Sequence, residues 1–191
     1  PRAKNQDKFN LPSKYILNVG SFFPRKNQET LIAAFNLIKN KVEEDLILIG
    51  NSGTMKEKLE LYLQKMNLQQ RVKILTDVAK EDLPTIYQHA SAFVFPSLFE
   101  GFGMPVVEAL LSKVPVIATK GGCFEEAGGK DSLYINPNSA EEIADAILKV
   151  LNDTELKNKM IETGFVHAQT MNEKIIAEKT MNVYRGLTNR K

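Results

Sequence analysis

Two carboxylates bracket one glycine-containing turn of this 191-residue sequence: Glu100 and Glu108 flank Gly101, Phe102, Gly103 and Pro105, with seven residues between them. Far upstream lies a basic pair, Arg25-Lys26. Ionised carboxylates are strong acceptors and suit the hydroxyls of a sugar. Glycine permits positive φ and lets a ligand come close to the main chain. Pro105 marks the first turn of a helix, where a missing N–H is no loss. The unpaired amides at such a helix start suit an anion such as phosphate.

The other familiar arrangements are missing. No G-x-G-x-x-G follows the first apolar run, which disfavours a dinucleotide oxidoreductase. No G-x-x-x-x-G-K-[ST] and no G-x-S-x-G is present, so a P-loop and a serine-hydrolase elbow have no support. His89 and His167 stand alone in helical stretches and Cys123 is single, so structural roles are expected for them and no metal site. A basic loop, a glycine turn at a helix start and two carboxylates remain. Those parts fit a diphosphate joined to a polyhydroxylated group.

These groups need elements to hold them. Apolar runs predict strands over 15–20, 46–49, 72–75, 92–95, 114–119 and 133–135, the fifth entered through Pro115. Helical spacing predicts helices between them. The first is capped by Asn27 with Leu31, Phe35 and Ile38 inward, and the next runs over about 54–66 with Leu59, Tyr62, Leu63 and Met66 on one stripe. Further helices are expected over 82–90, from Pro105 to about 112, and as a turn or two over 124–127. Ser139 and Glu142 read as a capping box before Ile143, Ile147, Val150 and Leu151. Another helix starts at Asp153 or Thr154, and a last one covers about 172–187 with Ile176, Val183 and Leu187 on its stripe. Six alternations with short connections predict an α/β fold, a doubly wound parallel sheet of about six strands. Ligands bind outside the carboxyl ends of such strands. Most of the glycines and the Arg25-Lys26 pair fall in the loops expected there: 20–26, 50–53, 76–80, 96–103 and 119–122.

The totals set outer limits. Hydrophobic residues make up 43% and charged residues 25%, ordinary for a globular domain. A net charge of +2 is too mild to argue for nucleic acid. A single cysteine excludes an internal disulfide and fits a reducing compartment, so a cytoplasmic protein is expected. No stretch reads as a membrane span or a signal peptide. The expected organisation is an opening linker over 1–12, one body over 13–170 and a terminal helix over 171–191.

The glycine turn also resembles a known signature. Glu100-Gly-Phe-Gly-Met-Pro-Val-Val-Glu108 is similar to the E-x7-E motif of retaining glycosyltransferases of family 4. That superfamily has two Rossmann-like domains in the B-type arrangement and includes glycogen synthases and bacterial mannosyltransferases. The likeness extends to Val19-Gly-Ser-Phe-Phe-Pro-Arg-Lys-Asn27, Ile49-Gly-Asn-Ser-Gly53, Pro96-Ser-Leu-Phe99 and Pro115-Val-Ile-Ala118, and more loosely to 121–137. These stretches resemble the C-terminal, donor-binding domain.

The resemblance implies roles. Glu108 would bind the ribose hydroxyls and Glu100 the transferred sugar, and Lys26 with Arg25 would neutralise the departing diphosphate. The backbone of Gly101, Phe102 and Gly103, with Gly20 and Ser21, would line the sugar and diphosphate. The loop 76–80, Val78 included, would read the base through its backbone. The donor would be a UDP- or GDP-sugar, without a metal cofactor. The acceptor would be a glycan or lipid-linked, as in polysaccharide biosynthesis. An N-terminal acceptor domain lies outside these residues, and any membrane surface would be met only through it. A sequence opening at Pro1 fits one half of a larger enzyme, with little transfer activity expected from this piece alone. Two departures stand out: Ser21 where many members carry arginine, and Glu125-Glu126 where Pro-Glu is usual. The alternatives are a sugar-nucleotide epimerase or a phosphorylase of the same fold, though no pyridoxal-phosphate lysine suggests itself, or a non-catalytic sugar-nucleotide-binding module.

Overall fold

Six apolar runs form six parallel strands: β1 (Tyr15–Val19), β2 (Asp45–Ile49), β3 (Val72–Leu75), β4 (Ala92–Phe95), β5 (Val116–Thr119) and β6 (Leu133–Ile135). The structure, a computed structural model, describes residues 8–51 and 53–188. The strands lie in the order β3-β2-β1-β4-β5-β6. Between and after them run α1 (Gln28–Ile38), α2 (Lys56–Lys65), α3 (Leu83–Gln88), α4 (Met104–Leu111), α5 (Cys123–Gly128), α6 (Ala140–Asn152), α7 (Thr154–Gln169) and α8 (Glu173–Thr188).

Alternation along the strands divides the core in two. Ile16, Leu46, Leu48, Val94 and Ile117 face α1, α2 and α6, where Leu31, Phe35, Leu59, Ile143 and Ile147 meet them. Tyr15, Leu17, Ile47, Phe93, Phe95 and Val116 face α3, α4 and α5, against Ile86, Val106, Leu110 and Phe124. With both sheet faces covered, the strands read as nearly unbroken apolar runs, as parallel strands do. Burying one such large side chain contributes roughly 1.5–3 kcal/mol.

Several boundaries differ from the sequence expectation. The helix expected from 54 begins at Lys56, and the one expected over 82–90 shortens to Leu83–Gln88. The fifth strand starts at Val116, two residues late. Val114 instead donates its N–H to the Ala109 carbonyl and closes the end of α4, while the Pro115 carbonyl accepts from Phe93. Asn27 is not a side-chain cap; it is left-handed (φ 58°) and joins an unanticipated 3-10 turn, Pro24–Lys26, to α1. Half of the capping box forms: Ser139 Oγ accepts from the Glu142 amide, but Glu142 turns its carboxylate to the Asn136 amide. The final helix leaves Ile176, Val183 and Leu187 exposed. Phe9 and Leu11 of the opening segment pack on the core, and Lys73 Nζ donates to the Phe9 carbonyl at 2.7 Å. Residues 1–7, Ser52 and 189–191, which complete the expected opening linker, second-strand turn and terminal helix, lie outside the described residues.

Among the described residues, no helix is long and apolar enough to cross a membrane. Two loops at the carboxyl edge touch closely: a Cβ added at Gly50 would lie 2.4 Å from the Gly20 carbonyl oxygen and 3.1 Å from the Phe22 ring. That clash can be relieved only by moving the loop after β1. We therefore expect Gly50→Ala to lower stability in urea unfolding by about 1–3 kcal/mol, the usual cost of forced overpacking.

Candidate active site

The sheet changes direction between β1 and β4. Chain connections leave β1 towards β2 and β3, and leave β4 towards β5 and β6, so no crossover covers the crevice between the two carboxyl ends. The paired register of β1 and β4 stops at Leu17–Phe93, and the Asn18 side chain bridges beyond it to the Val94 carbonyl at 2.8 Å. The loops after these strands, 20–27 and 96–103, carry nearly all the residues predicted for the site.

The 3-10 turn Pro24–Lys26 aims Lys26 inward. Its side chain is 9% exposed, and Nζ lies 2.5 Å from Glu100 Oε1 and 5.0 Å from the centre of the Phe95 ring. Gly20 makes the room, since a Cβ there would press on Lys26 Cδ at 3.3 Å. Gly20 offers no free donor, because its amide donates to the Ile49 carbonyl. The Arg25 guanidinium, about half exposed, reaches the same Glu100 oxygen at 3.1 Å and the Phe99 carbonyl at 3.3 Å. Two cations thus share one carboxylate, leaving one positive charge in excess at the crevice. Ser21 stands where an arginine was noted as usual in the resembled loop, and Arg25 is the charge that reaches the site beside Lys26.

Asn27 stitches the crevice together. Its left-handed backbone lets the side-chain Nδ2 donate to the carbonyls of Pro96 (3.1 Å) and Pro137 (2.7 Å). Thr30 Oγ1 donates to its Oδ1 at 2.6 Å, and the buried Gln28 amide reaches the carbonyls of Gly20 and Ser21. A left-handed-tolerant residue straight after Pro-Arg-Lys was the available sequence signal.

On the other side, Gly103 takes φ 98° and turns the chain into α4. The amides of residues 101–104 meet no protein acceptor among the described residues. Gly101 lies in open space, with nothing within 4 Å of an added Cβ. Phe102 packs partly against the core, and Phe99 is 71% exposed. Gly121 and Gly122 have positive φ at the end of β5, where the Glu125 carboxylate accepts the Gly121 amide at 3.0 Å. That capping bond accounts for a glutamate at 125 in structural terms.

Glu108 stands apart from the Arg25–Lys26–Glu100 cluster. It is exposed on α4, and its Oε2 accepts from the hydroxyl of Tyr87 at 3.0 Å. Tyr87 was not among the residues anticipated, because a phenol inside an apolar helix face carries no local mark of its partner. Val78 is buried, its side chain part of the core, so only its backbone can face a ligand. His89 bonds the Thr85 carbonyl and His167 the Glu126 carbonyl, and neither adjoins the cluster. A cleft of about 680 Å³ between the end of α5 and α7 is lined by neither glutamate of the turn nor the basic pair.

Three outcomes follow from this geometry. Glu100 has two cationic partners, whereas the carboxylate of Glu100 is the hydrogen-bond partner of Lys26. Removing Glu100 therefore strands a buried ammonium, and we expect Glu100→Ala to lower unfolding stability by about 3 kcal/mol, the low end for a broken buried pair. Lys26→Met leaves Glu100 with Arg25, so its loss should be clearly smaller in the same denaturation series. The Cys123 thiol donates to the Glu100 carbonyl at 3.4 Å, and burial, ahead of the nearby Glu100 and Glu126 charges, pushes its pKa up. The thiolate is the reactive form. Alkylation of Cys123 by iodoacetamide at neutral pH should therefore run slower than that of a free cysteine, as followed by intact mass.

The sequence model of one family, described as Glycosyl transferases group 1, matches residues 1–167. The chain is 31% identical over 175 residues to O-antigen chain mannosyltransferase B of Escherichia coli, covering 91% of this chain and 46% of that protein. Among solved structures, sucrose-phosphate synthase from Thermosynechococcus elongatus matches with a TM-score of 0.83 at 29% identity, over 99% of this chain and 49% of that one. Anabaena HepE, solved in complex with UDP and glucose, shares the fold with a TM-score of 0.84 at 21% identity, over 97% and 52%. The chain spans about half the length of these relatives.

Proposed function

The chain belongs to the group 1 glycosyl transferases, and from that premise we propose that the β1/β4 crevice is the donor site of a retaining hexosyltransferase, taking a UDP- or GDP-sugar. The observation that carries this reading is the meeting of Arg25, Lys26 and Glu100 beside the unpaired amides of residues 101–104. A surplus positive charge and free N–H groups suit a diphosphate, and a helix start favours negative charge. Carboxylates on either side of that spot suit the sugar at one end and the ribose at the other. HepE, with UDP and glucose in its complex, is a relative in fold that holds both kinds of ligand.

In the reaction, the bond from the anomeric carbon to the diphosphate oxygen breaks and the electron pair stays on that oxygen. The acceptor oxygen forms the new bond to the same carbon, and its proton passes to the departing diphosphate, which carries the displaced electron pair. Negative charge grows on the leaving diphosphate, and Lys26, held on the Phe95 face among buried residues, is placed to stabilise it, with Arg25 beside it. One such preorganised donor supplies about 3–4 kcal/mol of transition-state stabilisation. Glu100 lies next to the same charges, where its carboxylate receives hydroxyls of the donor sugar and stabilises positive character at the anomeric carbon. Gly20 contributes space, and Ser21 and the loop around Val78 contribute backbone. The acceptor, a glycan or a lipid-linked glycan, is chosen by a second domain outside these residues.

Calorimetric titration of the chain with UDP and with GDP tests the reading. At least one should bind, and Glu108→Ala should weaken that binding about tenfold to a hundredfold, the worth of a hydrogen bond to a charged group. A folded wild-type sample that binds neither nucleotide would overturn the proposal.

A further inference from the structure

Resting on the reading of Glu108 as the ribose carboxylate, we infer that Tyr87 is a positioning residue that presents Glu108 to the nucleotide. Glu108 sits on the surface of α4, where a glutamate samples many rotamers. One bond restrains it: the Tyr87 hydroxyl donates to Oε2 at 3.0 Å. An ionised carboxylate only accepts, so the direction of that bond is set. Burial, then the charge of Glu108 and the hydrogen bond itself, hold the Tyr87 hydroxyl well above the ordinary tyrosine range, so it remains a donor at any working pH.

Tyr87 can hold a carboxylate because it cannot itself move. It is 1% exposed, and its ring packs tilted against Phe93 with centroids 5.4 Å apart. Phe93 stacks on Phe95 at 5.8 Å, and Phe95 meets the edge of Phe124 at 6.1 Å. Lys26 Nζ lies over Phe95 at 5.0 Å. The buried stretch Tyr87-Phe93-Phe95 of this aromatic row therefore carries the Glu108 carboxylate at one end and the Lys26 ammonium over the other. The two groups assigned to opposite ends of a nucleoside diphosphate are referenced to the same rigid row. With Oε2 engaged by the phenol, Oε1 is the oxygen with its full acceptor capacity left for the two ribose hydroxyls.

The test compares UDP and GDP with their 2′,3′-dideoxy counterparts, by calorimetry, on wild type, Tyr87→Phe, Glu108→Ala and the double variant. Phenylalanine keeps the ring and removes only the hydroxyl. Both ligands sample the same folded population, so the ratio of their affinities is unmoved by partial unfolding of a variant. Wild type should prefer the ribose form, Glu108→Ala should abolish the preference, and Tyr87→Phe should reduce it roughly fivefold or more. The dideoxy affinity should stay unchanged, and Tyr87→Phe should have no further effect once Glu108 is alanine. Retention of the full preference in Tyr87→Phe, with its loss in Glu108→Ala, overturns the role of Tyr87 and leaves that of Glu108 intact. A preference that survives Glu108→Ala, or is absent from wild type, overturns the ribose reading and the inference with it.

Discussion

In an open parallel sheet a crevice forms at the carboxyl edge where the connections from two neighbouring strands run opposite ways. Here the loop leaving β1 runs towards β2 and the loop leaving β4 runs towards β5, while the connection from β3 returns across the sheet and enters β4 at its amino end, so the connections part at the carboxyl ends of the β1/β4 pair. Everything chemical in the chain gathers around this constraint. The 3-10 turn and Asn27 follow β1, the glycine turn and α4 follow β4, and the two loops meet through the Leu98 amide and the Arg25 carbonyl at 2.7 Å. The fold supplies the gap; the loops supply the charge.

The charge is arranged economically. Lys26 is nearly buried, which for a lone ammonium would be costly. Glu100 makes that burial tolerable, and Phe95 contributes its ring face. Arg25, more exposed, adds little to stability, because a half-solvated pair is worth about 0–1 kcal/mol. Its weight is electrostatic: it turns a neutral pair into a cluster with surplus positive charge at the mouth of the crevice.

How much of this was legible in the sequence varies with the range of the interaction. Strands such as 46–49 and 92–95 are continuous apolar runs and were read within a residue, because burial on both faces writes itself into local composition. The cluster of Arg25, Lys26 and Glu100 was legible as a pattern of loops at one sheet edge, and the structure brings these three together. Glu108 was placed on α4 correctly, but its bond to Tyr87 joins two helices and has no local trace. Asn27 looked like a cap because asparagine before a helix usually is one. Its left-handed backbone turns the amide across the crevice to carbonyls that lie far along the chain. The capping box failed by half for a similar reason, since the Asn136 amide competes for the Glu142 carboxylate.

The Asn27 bond to Pro137 has a reach beyond the crevice. Residues 136–139 form a turn before α6 that is held locally by its own side chains, Ser139 Oγ accepting the Glu142 amide and Asn136 Oδ1 the Asn138 amide. Because the Pro137 carbonyl is one of the two acceptors that fix Asn27, the position of that turn sets the pose of the residue that follows Lys26. Drift in this surface turn is therefore transmitted to the opposite half of the sheet, and mutational tolerance there should follow the geometry of one carbonyl as well as the local side-chain bonds.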